Sequence, residues 1–479
     1  MKSLKKNFFF NILLNLSRVV FPLITAPYIA RVLEPDNIGL FNFANTYASY
    51  FALFAALGLP TYGIRETAKV RNDKNELSKF VSEILSLTSI TTIFYSIIFL
   101  CTLFFIPQLN INFLVFLISG IILYTAPLKI DWFFVGHEDF SYVTYRSLII
   151  KTVSIIALFV FVHEKKDFLL YVILNVISSI ANDIWNFIKL RQFGLQIRFT
   201  LDFKKHVKPM LILFSSAAAV SIYTALDTIM LGFLAEYREV AFYNSATHIS
   251  KNLLAVSTSL SEVAIPRLSL YLKNDNWNDI NLLIKKSFSI ISFLSFPMTV
   301  GLMILAPVFV PLFFGKLYYG AIVPLQIMAC IIIAIGFNNW SGRQILVGLG
   351  FDKLILYAVL GGALTNFVLN ILLIPKYGAS GAAIASVFAE TIVFLISLYF
   401  TIYKTKVSLN GIFRDFILCI SGVCLLFPLS YFLAKFFENW AYIFAFTFSS
   451  IIVYCTFQYL LKNSSALLIK DVLKKKFIH

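Results

Sequence analysis

The sequence predicts an all-α protein that crosses a membrane many times. Of its 479 residues, 59% are hydrophobic and only 13% are charged, whereas soluble domains are about half apolar and a quarter charged. Apolar blocks of roughly 20 residues recur along the chain, and each is long enough to cross about 30 Å of hydrocarbon as a helix. The alternating segments of about 10 residues that membrane barrels use are absent from the sequence.

We predict about 14 membrane helices, and we interpret the first apolar block as a retained helix because it is longer and more polar than a signal peptide. The predicted positions are 8–30, 38–59, 80–105, 113–131, 146–162, 169–189, 209–234, 241–265, 287–313, 321–341, 354–374, 381–403, 415–434 and 441–461. The five cysteines are scattered through these blocks without disulfide or metal-ligand spacing. We therefore predict no metal and no cofactor.

The distribution of positive charge predicts that both termini are cytoplasmic. With the N-terminus inside, the inner segments carry about 31 lysines and arginines and the outer loops carry about seven, which is a strong positive-inside bias. The net charge of +16 is then a consequence of topology. We expect anionic membrane lipid as its neighbour, and no nucleic acid partner.

A basic loop after the sixth helix is the predicted domain boundary. Four-residue matches on either side of it, FNFA at 41–44 and YNSA at 243–246, open the second and eighth helices. An offset of six helices predicts two lobes in the same orientation, related by a pseudo-two-fold axis along the membrane normal, as in transporters that bind between their halves. The predicted parts are an N-terminal six-helix lobe (1–190), a basic cytoplasmic linker (191–208), a C-terminal six-helix lobe (209–403), and a further helix pair with a basic tail (404–479).

One face of the first helix is polar. Asn11, Asn15 and Arg18 fall at positions i, i+4 and i+7, which share a helix face. An arginine within the membrane costs a few kcal/mol on insertion scales and normally faces protein or a water-filled cavity. Two interpretations follow: Arg18 faces a wet cavity, or it forms a buried ion pair with a carboxylate.

The second half offers counterparts at overlapping depths. Asp227 lies on the seventh helix, and His248 and Lys251 share a face of the eighth. We hypothesise that these groups and Arg18 line one central cavity, where Arg18 and Lys251 bind a pyrophosphate or acidic sugars. The alternatives are an internal Asp227–Lys251 pair and a local hydrogen bond for His248.

Two intramembrane carboxylates, Asp227 and Glu390, are candidates for proton or cation coupling, because a desolvated carboxylate titrates closer to neutral pH. The chain carries no Gly-rich phosphate loop, no HExxH motif and no nucleophile elbow. Its longest loops are about 20 residues, which leaves little room for a water-exposed catalytic site. We therefore predict a transporter and not an enzyme.

Four stretches resemble a known family: PYIARVLEPDNIGLFNFA (27–44), GLPTYGIRETAKVRNDKNEL (58–77), DWFFVGHEDF (131–140) and NFVLNILLIPKYGASGAAIASVFAE (366–390). They are similar to the polysaccharide biosynthesis flippases, the O-antigen and capsule repeat-unit exporters of the multidrug/oligosaccharidyl-lipid/polysaccharide exporter superfamily. The resemblance implies a V-shaped pair of lobes around a central cavity, and alternating access.

The cargo that the resemblance implies is an oligosaccharide on undecaprenyl pyrophosphate, moved from the inner to the outer leaflet of the bacterial inner membrane. Polysaccharide polymerase machinery is a further expected partner. A lipid II-type flippase and a cation-coupled drug exporter of the same superfamily are the alternatives. The positive charges at positions 18 and 251 favour anionic cargo over cationic drugs.

Overall fold

The computed structural model describes residues 4–468, apart from side chains at 4–8, 216–217, 219–220, 222–224 and 256–263. Every regular element in the described range is helical. The α-helices are α1 (Leu4–Ala56), α2 (Leu59–Val70), α3 (Lys74–Phe105), α4 (Pro107–Asn110), α5 (Phe113–Ser119), α6 (Ile121–Tyr124), α7 (Asp131–Gly136), α8 (Phe140–Phe161), α9 (Phe168–Arg191), α10 (Lys204–Leu234), α11 (Tyr237–Lys273), α12 (Trp277–Phe314), α13 (Ile322–Ala329), α14 (Ile331–Asn338), α15 (Asp352–Lys404), α16 (Ile412–Cys424), α17 (Leu426–Leu433) and α18 (Asn439–Leu460). Short 3-10 turns occur at Ala126–Leu128, Lys165–Asp167 and Lys316–Ala321, and a π-helix at Asn339–Val347.

Within the described residues, ten helical stretches are long and apolar enough to cross a membrane. The prediction of an all-helical, multi-pass membrane protein is therefore confirmed, while the number 14 and the side of each terminus stay predictions. Two of the ten, Phe9–Val70 and Asp352–Lys404, are much longer than the others. At about 1.5 Å per residue, each would extend well beyond about 30 Å of hydrocarbon if it were straight.

Within these stretches, the helices α1 and α15 are each interrupted by one non-helical residue. In α1 the residue is Glu34 (φ 63°, ψ 163°), which precedes Pro35, and a residue before proline is disfavoured in the α conformation. In α15 the residue is Gly378 (φ 51°, ψ −128°), where glycine carries no Cβ to clash. The breaks fall in the sequence segments predicted to join helices one to two and eleven to twelve.

The chain forms two compact units, Met1–Phe233 and Leu234–His479. The N-terminal unit therefore includes the basic segment 191–208 and nearly all of α10. The division into two six-helix lobes on either side of that segment stays a prediction.

The segment after α9 is bound along α3 by a row of serines. Ser78, Ser82 and Ser86 repeat every four residues, and their hydroxyl oxygens accept backbone N–H bonds from every second residue of the extended segment. Four helical residues rise about 6.0 Å and two extended residues about 6.6 Å, so the two periods match over a short distance. The donors are Gln196, Arg198 and Thr200, with N–O distances of 3.3, 3.1 and 3.0 Å.

A buried polar chain joins α2, α3 and α10 in the same unit. The side chain of Glu83 is 1% exposed and lies 2.8 Å from His206 Nε2 and 2.9 Å from Lys205 Nζ. His206 Nδ1 in turn lies 2.6 Å from the Tyr62 hydroxyl. Burial of this carboxylate is tolerated because it has both a charge partner and hydrogen bonds.

The final helices pack into the core of the C-terminal unit. Phe416 of α16 contacts Phe296 of α12, with ring centroids 5.3 Å apart, and Tyr454 of α18 contacts Phe293, at 5.2 Å. These rings belong to an aromatic cluster that includes Trp340, which is 1% exposed. The helix pair is thus an integral part of this unit.

Candidate functional site

The polar face of the first helix is exposed. Asn11, Asn15 and Arg18 are all solvent-accessible on the N-terminal half of α1, and Arg18 Nη1 lies 3.4 Å from Asn15 Oδ1. Among the described residues no carboxylate lies within salt-bridge distance of Arg18. This geometry offers the guanidinium to a ligand.

A second cation, Lys151, lies beside this face. It is the twelfth of the 22 residues of α8, and its ammonium lies 3.2 Å from Ser17 Oγ and 5.5 Å from the centroid of the Phe21 ring. Ser17 immediately precedes Arg18 in the chain, so the two cations are neighbours. The site therefore carries two neighbouring cations on α1 and α8.

Lys151 was one of the lysines and arginines counted on the inner side, because a fifth helix at 146–162 places it only five residues from the inner end. The helix begins at Phe140, six residues earlier, so Lys151 lies midway along it. Arg146 was counted in the same way and is also part of α8, with only 2% of its side chain exposed. A helix that starts at Phe140 places both residues farther from its inner end.

A small cavity opens beside Lys151. It measures about 220 Å³, and its walls come from α1, α8 and α9 of the N-terminal unit. Its polar lining consists of Thr25, Lys151, Ser154, Tyr171, Asn175 and Ser178. Polar groups around a cation inside an apolar bundle form a site for a small hydrophilic group.

In the C-terminal unit, His248 and Lys251 of α11 are both exposed. Within the described part of that unit, no carboxylate lies within salt-bridge distance of Lys251. The two side chains sit one helical turn apart, as the i, i+3 spacing predicts. That they line a common cavity with Arg18 stays a prediction.

The two candidate coupling carboxylates are buried, and they belong to different units. Asp227 of α10 is 4% exposed in the N-terminal unit. Glu390 of α15 is 9% exposed in the C-terminal unit and accepts a hydrogen bond of 3.0 Å from Asn338 Nδ2.

Asn338 immediately precedes the π-helix Asn339–Val347, a type of distortion that often occurs at functional sites. No local sequence pattern links Asn338 to Glu390, since the two are 52 residues apart in the chain. Among the described residues no group of three or more histidines, cysteines or carboxylates could hold a metal ion.

Comparison with known sequences identifies the family. A profile of the family described as "Polysaccharide biosynthesis protein" matches residues 4–272, more than half of the chain. A relative from Escherichia coli (strain K12), named a candidate O-antigen transporter, is 25% identical over 83% of this chain and 96% of its own length. The capsular polysaccharide biosynthesis protein CapF of Staphylococcus aureus is 24% identical over 82% of this chain and 98% of its own. The resemblance seen in the four sequence stretches is confirmed.

Solved structures share the fold. The lipid II flippase MurJ in an inward closed conformation superposes with a TM-score of 0.73 at 18% identity, over 97% of this chain and all of that one. An inward-facing multidrug resistance MATE family transporter of the MOP superfamily gives a TM-score of 0.59 at 12% identity, over 81% of this chain and 94% of that one. At these identities the likeness concerns the fold alone.

Proposed function

Because the chain belongs to the polysaccharide biosynthesis protein family, we propose that it is a flippase for lipid-linked polysaccharide precursors. Its cargo would be an oligosaccharide repeat unit on undecaprenyl pyrophosphate, of the O-antigen or capsule type. The protein would move this unit from the inner to the outer leaflet of the bacterial cytoplasmic membrane. The names of the relatives in Escherichia coli and Staphylococcus aureus support a cargo of this class.

The observation that carries the proposal is the exposure of Arg18 on a membrane helix, without a carboxylate partner among the described residues. A guanidinium facing lipid would cost at least a few kcal/mol, so we infer that it faces a hydrated cavity. There it meets a phosphate through bidentate hydrogen bonds. Asn11 and Asn15 extend the polar face toward the sugar hydroxyls.

In the same proposal, Lys251 and His248 line the cavity from the C-terminal unit. Lys251 acts as a point charge toward the pyrophosphate or toward acidic sugars. A lipid II-type cargo carries the same pyrophosphate and is the alternative within this class. A drug exporter is disfavoured, because cationic drugs would be repelled by Arg18 and Lys251.

Transport would proceed by alternating access, with the two halves rocking around the bound head group. Asp227 and Glu390 are the proposed coupling groups, since a buried carboxylate that changes protonation or binds a cation would bias one conformation over the other. Anionic lipids of the inner leaflet would neighbour the basic inner segments. Polysaccharide polymerase machinery would receive the cargo outside.

The decisive experiment is deletion of the gene followed by analysis of lipid-linked glycans by leaflet. We expect one undecaprenyl-linked oligosaccharide to accumulate on the cytoplasmic leaflet, and the wild-type chain to restore its export. The Arg18→Ala variant should fail to restore export at equal membrane abundance. Unchanged lipid-linked glycans in the deletion strain would refute the proposal.

A further inference from the structure

We propose that Lys151 is a second binding residue for the pyrophosphate, and that it forms with Arg18 a two-cation seat inside the N-terminal unit. The cavity beside Lys151 takes one of the two phosphate groups. This inference rests on the proposed function and deepens it, because it states which part of the cargo the N-terminal unit recognises.

The Lys151 ammonium is incompletely coordinated by the protein. A lysine has three N–H donors, and this half-buried one meets the Ser17 hydroxyl and the face of Phe21. Ser17 can accept that bond because it donates its own hydrogen to the Leu14 carbonyl, at 2.7 Å. No carboxylate of the described residues lies within salt-bridge distance of Lys151, so the charge lacks a protein counter-ion there.

Another cation of α8, Arg146, is paired by the protein. Arg146, five residues earlier, is 2% exposed and forms an ion pair of 2.8 Å with Asp131. Its remaining donors meet the side-chain oxygens of Asn182 and Asn186. Arg146 is thus neutralised by protein groups. Lys151 on the same helix has no carboxylate partner among the described residues and lies next to the residue that precedes Arg18, a second cation.

Two adjacent cations select for two adjacent anionic groups. Like charges at short range repel one another, and an anion that contacts both removes this repulsion. A diphosphate carries two neighbouring anionic groups, whereas a monophosphate lipid carries one. The seat therefore favours a lipid diphosphate over a lipid monophosphate.

The cavity fits this assignment in size and in lining. Its volume of about 220 Å³ is below the range of about 300–1,000 Å³ that is typical of drug-sized ligands, so it admits one phosphate group and not a whole repeat unit. The hydroxyl hydrogens of Thr25 and Ser154 bond to backbone carbonyls, at 3.2 and 2.8 Å, so the Lys151 ammonium, and not these hydroxyls, donates to a phosphate in the cavity. The described lining contains Lys151 and neutral side chains only.

The test measures binding of defined lipids to the purified full-length protein in detergent. The probes are undecaprenyl pyrophosphate, undecaprenyl phosphate, phosphatidylglycerol and sodium pyrophosphate. We expect the wild-type protein to bind undecaprenyl pyrophosphate at least about tenfold more tightly than undecaprenyl phosphate. Lys151→Gln should weaken binding of undecaprenyl pyrophosphate by about 10–100-fold, which corresponds to the loss of one charge-assisted hydrogen bond. It should also abolish the preference for the pyrophosphate lipid over the monophosphate lipid.

Lys189→Gln is the matched control. Lys189 is also half-buried in the N-terminal unit, bonds to a neutral acceptor, Gln192, at 2.7 Å, and lies 5.9 Å from the Tyr142 ring. Its replacement removes the same charge and the same kinds of contact, but should leave lipid binding unchanged. Lys151→Arg, which keeps the charge, should retain most of the preference.

Thermal stability separates a binding role from a structural one. Without lipid, Lys151→Gln should melt at or above the wild-type temperature, because the repulsion with Arg18 is gone. The stabilisation that undecaprenyl pyrophosphate gives to the wild type should be lost. A variant that melts lower without lipid and still binds the pyrophosphate lipid as tightly would overturn the inference.

The four probes also separate this inference from the proposed function. If the wild type binds undecaprenyl pyrophosphate and phosphate equally, the two-cation seat is wrong while the flippase proposal stands. If it binds neither polyprenyl lipid, both fail. Tight binding of sodium pyrophosphate would support the seat and identify the diphosphate as the recognised group, whereas phosphatidylglycerol bound as tightly as the pyrophosphate lipid would refute its selectivity.

Discussion

Two regions of the N-terminal unit treat charge in opposite ways. In the contacts that join α2, α3 and α10, the buried Glu83 is enclosed by His206 and Lys205. Beside the polar face of α1, the side-chain hydrogen bonds of Arg18 and Lys151 go to neutral groups among the described residues, Asn15 and Ser17. We infer that the paired charges of the first region stabilise helix packing, whereas the cations of the second region bind a ligand.

Removing the carboxylate of the paired region should cause the greatest loss of stability. Glu83→Ala leaves the buried His206 Nε2 without its partner and removes two hydrogen bonds to a charged group, each of which contributes about 1.5–3 kcal/mol. We expect a clearly lower melting temperature of the purified protein. Glu76→Ala is the control on the same helix, since Glu76 is exposed, and it should melt like the wild type. Equal melting temperatures of the two variants would show that Glu83 has no structural role.

Removing the guanidinium of the ligand-facing region should affect transport and not stability. Arg18→Ala should lower export of the lipid-linked glycan by about 10–100-fold, because one charge-assisted contact is lost, while the melting temperature stays near that of the wild type. Arg65→Ala removes an exposed arginine from the same unit and should export normally. If Arg18→Ala melts lower but transports at the wild-type rate, the two regions do not differ as described.

The buried carboxylate of the C-terminal unit should control the response to an ion gradient. In Glu390→Gln, the carbonyl of the new amide still accepts the bond from Asn338, so we expect little change in stability. Transport in vesicles should lose its response to a proton or sodium gradient but keep its basal rate, a smaller effect than that of Arg18→Ala. Glu438→Gln, at an exposed position, is the control. A full gradient response in Glu390→Gln would exclude coupling at this residue.

The serine row along α3 should give the smallest effect. Ser82→Ala removes the acceptor for the Arg198 N–H, and one neutral hydrogen bond contributes about 1 kcal/mol. We expect a slightly lower melting temperature and faster proteolysis near residue 198. Ser89→Ala is the matched control, because Ser89 bonds only within its own helix, to Leu85. Identical proteolysis of the two variants would mean that the row does not hold the segment.

Several features of the fold were readable from the sequence because their causes are local. Apolar runs predict membrane helices whatever the rest of the chain does, since an unsatisfied backbone cannot lie in hydrocarbon. The break before Pro35 follows from the geometry of one residue and its neighbour. The spacing of Asn11, Asn15 and Arg18 likewise predicted a polar face, and the structure places all three at the surface.

The sequence missed Lys151 for a different reason. An error of six residues at the start of α8 moved it from the middle of a helix to the inner boundary. His206 was also missed, because its contact with Glu83 joins residues 123 apart in sequence. Neither position has a local pattern that identifies its partner.

That the protein is helical, spans a membrane and belongs to its family could be predicted from the sequence alone, because hydropathy, proline and glycine act within a few residues. Which charges are neutralised depends on the tertiary structure. The ion pair of Arg146 with Asp131 and the contact of Lys151 with Ser17 depend on how α8 packs against its neighbours. Electrostatic pairing is a property of distance in space, and a linear sequence does not contain that distance.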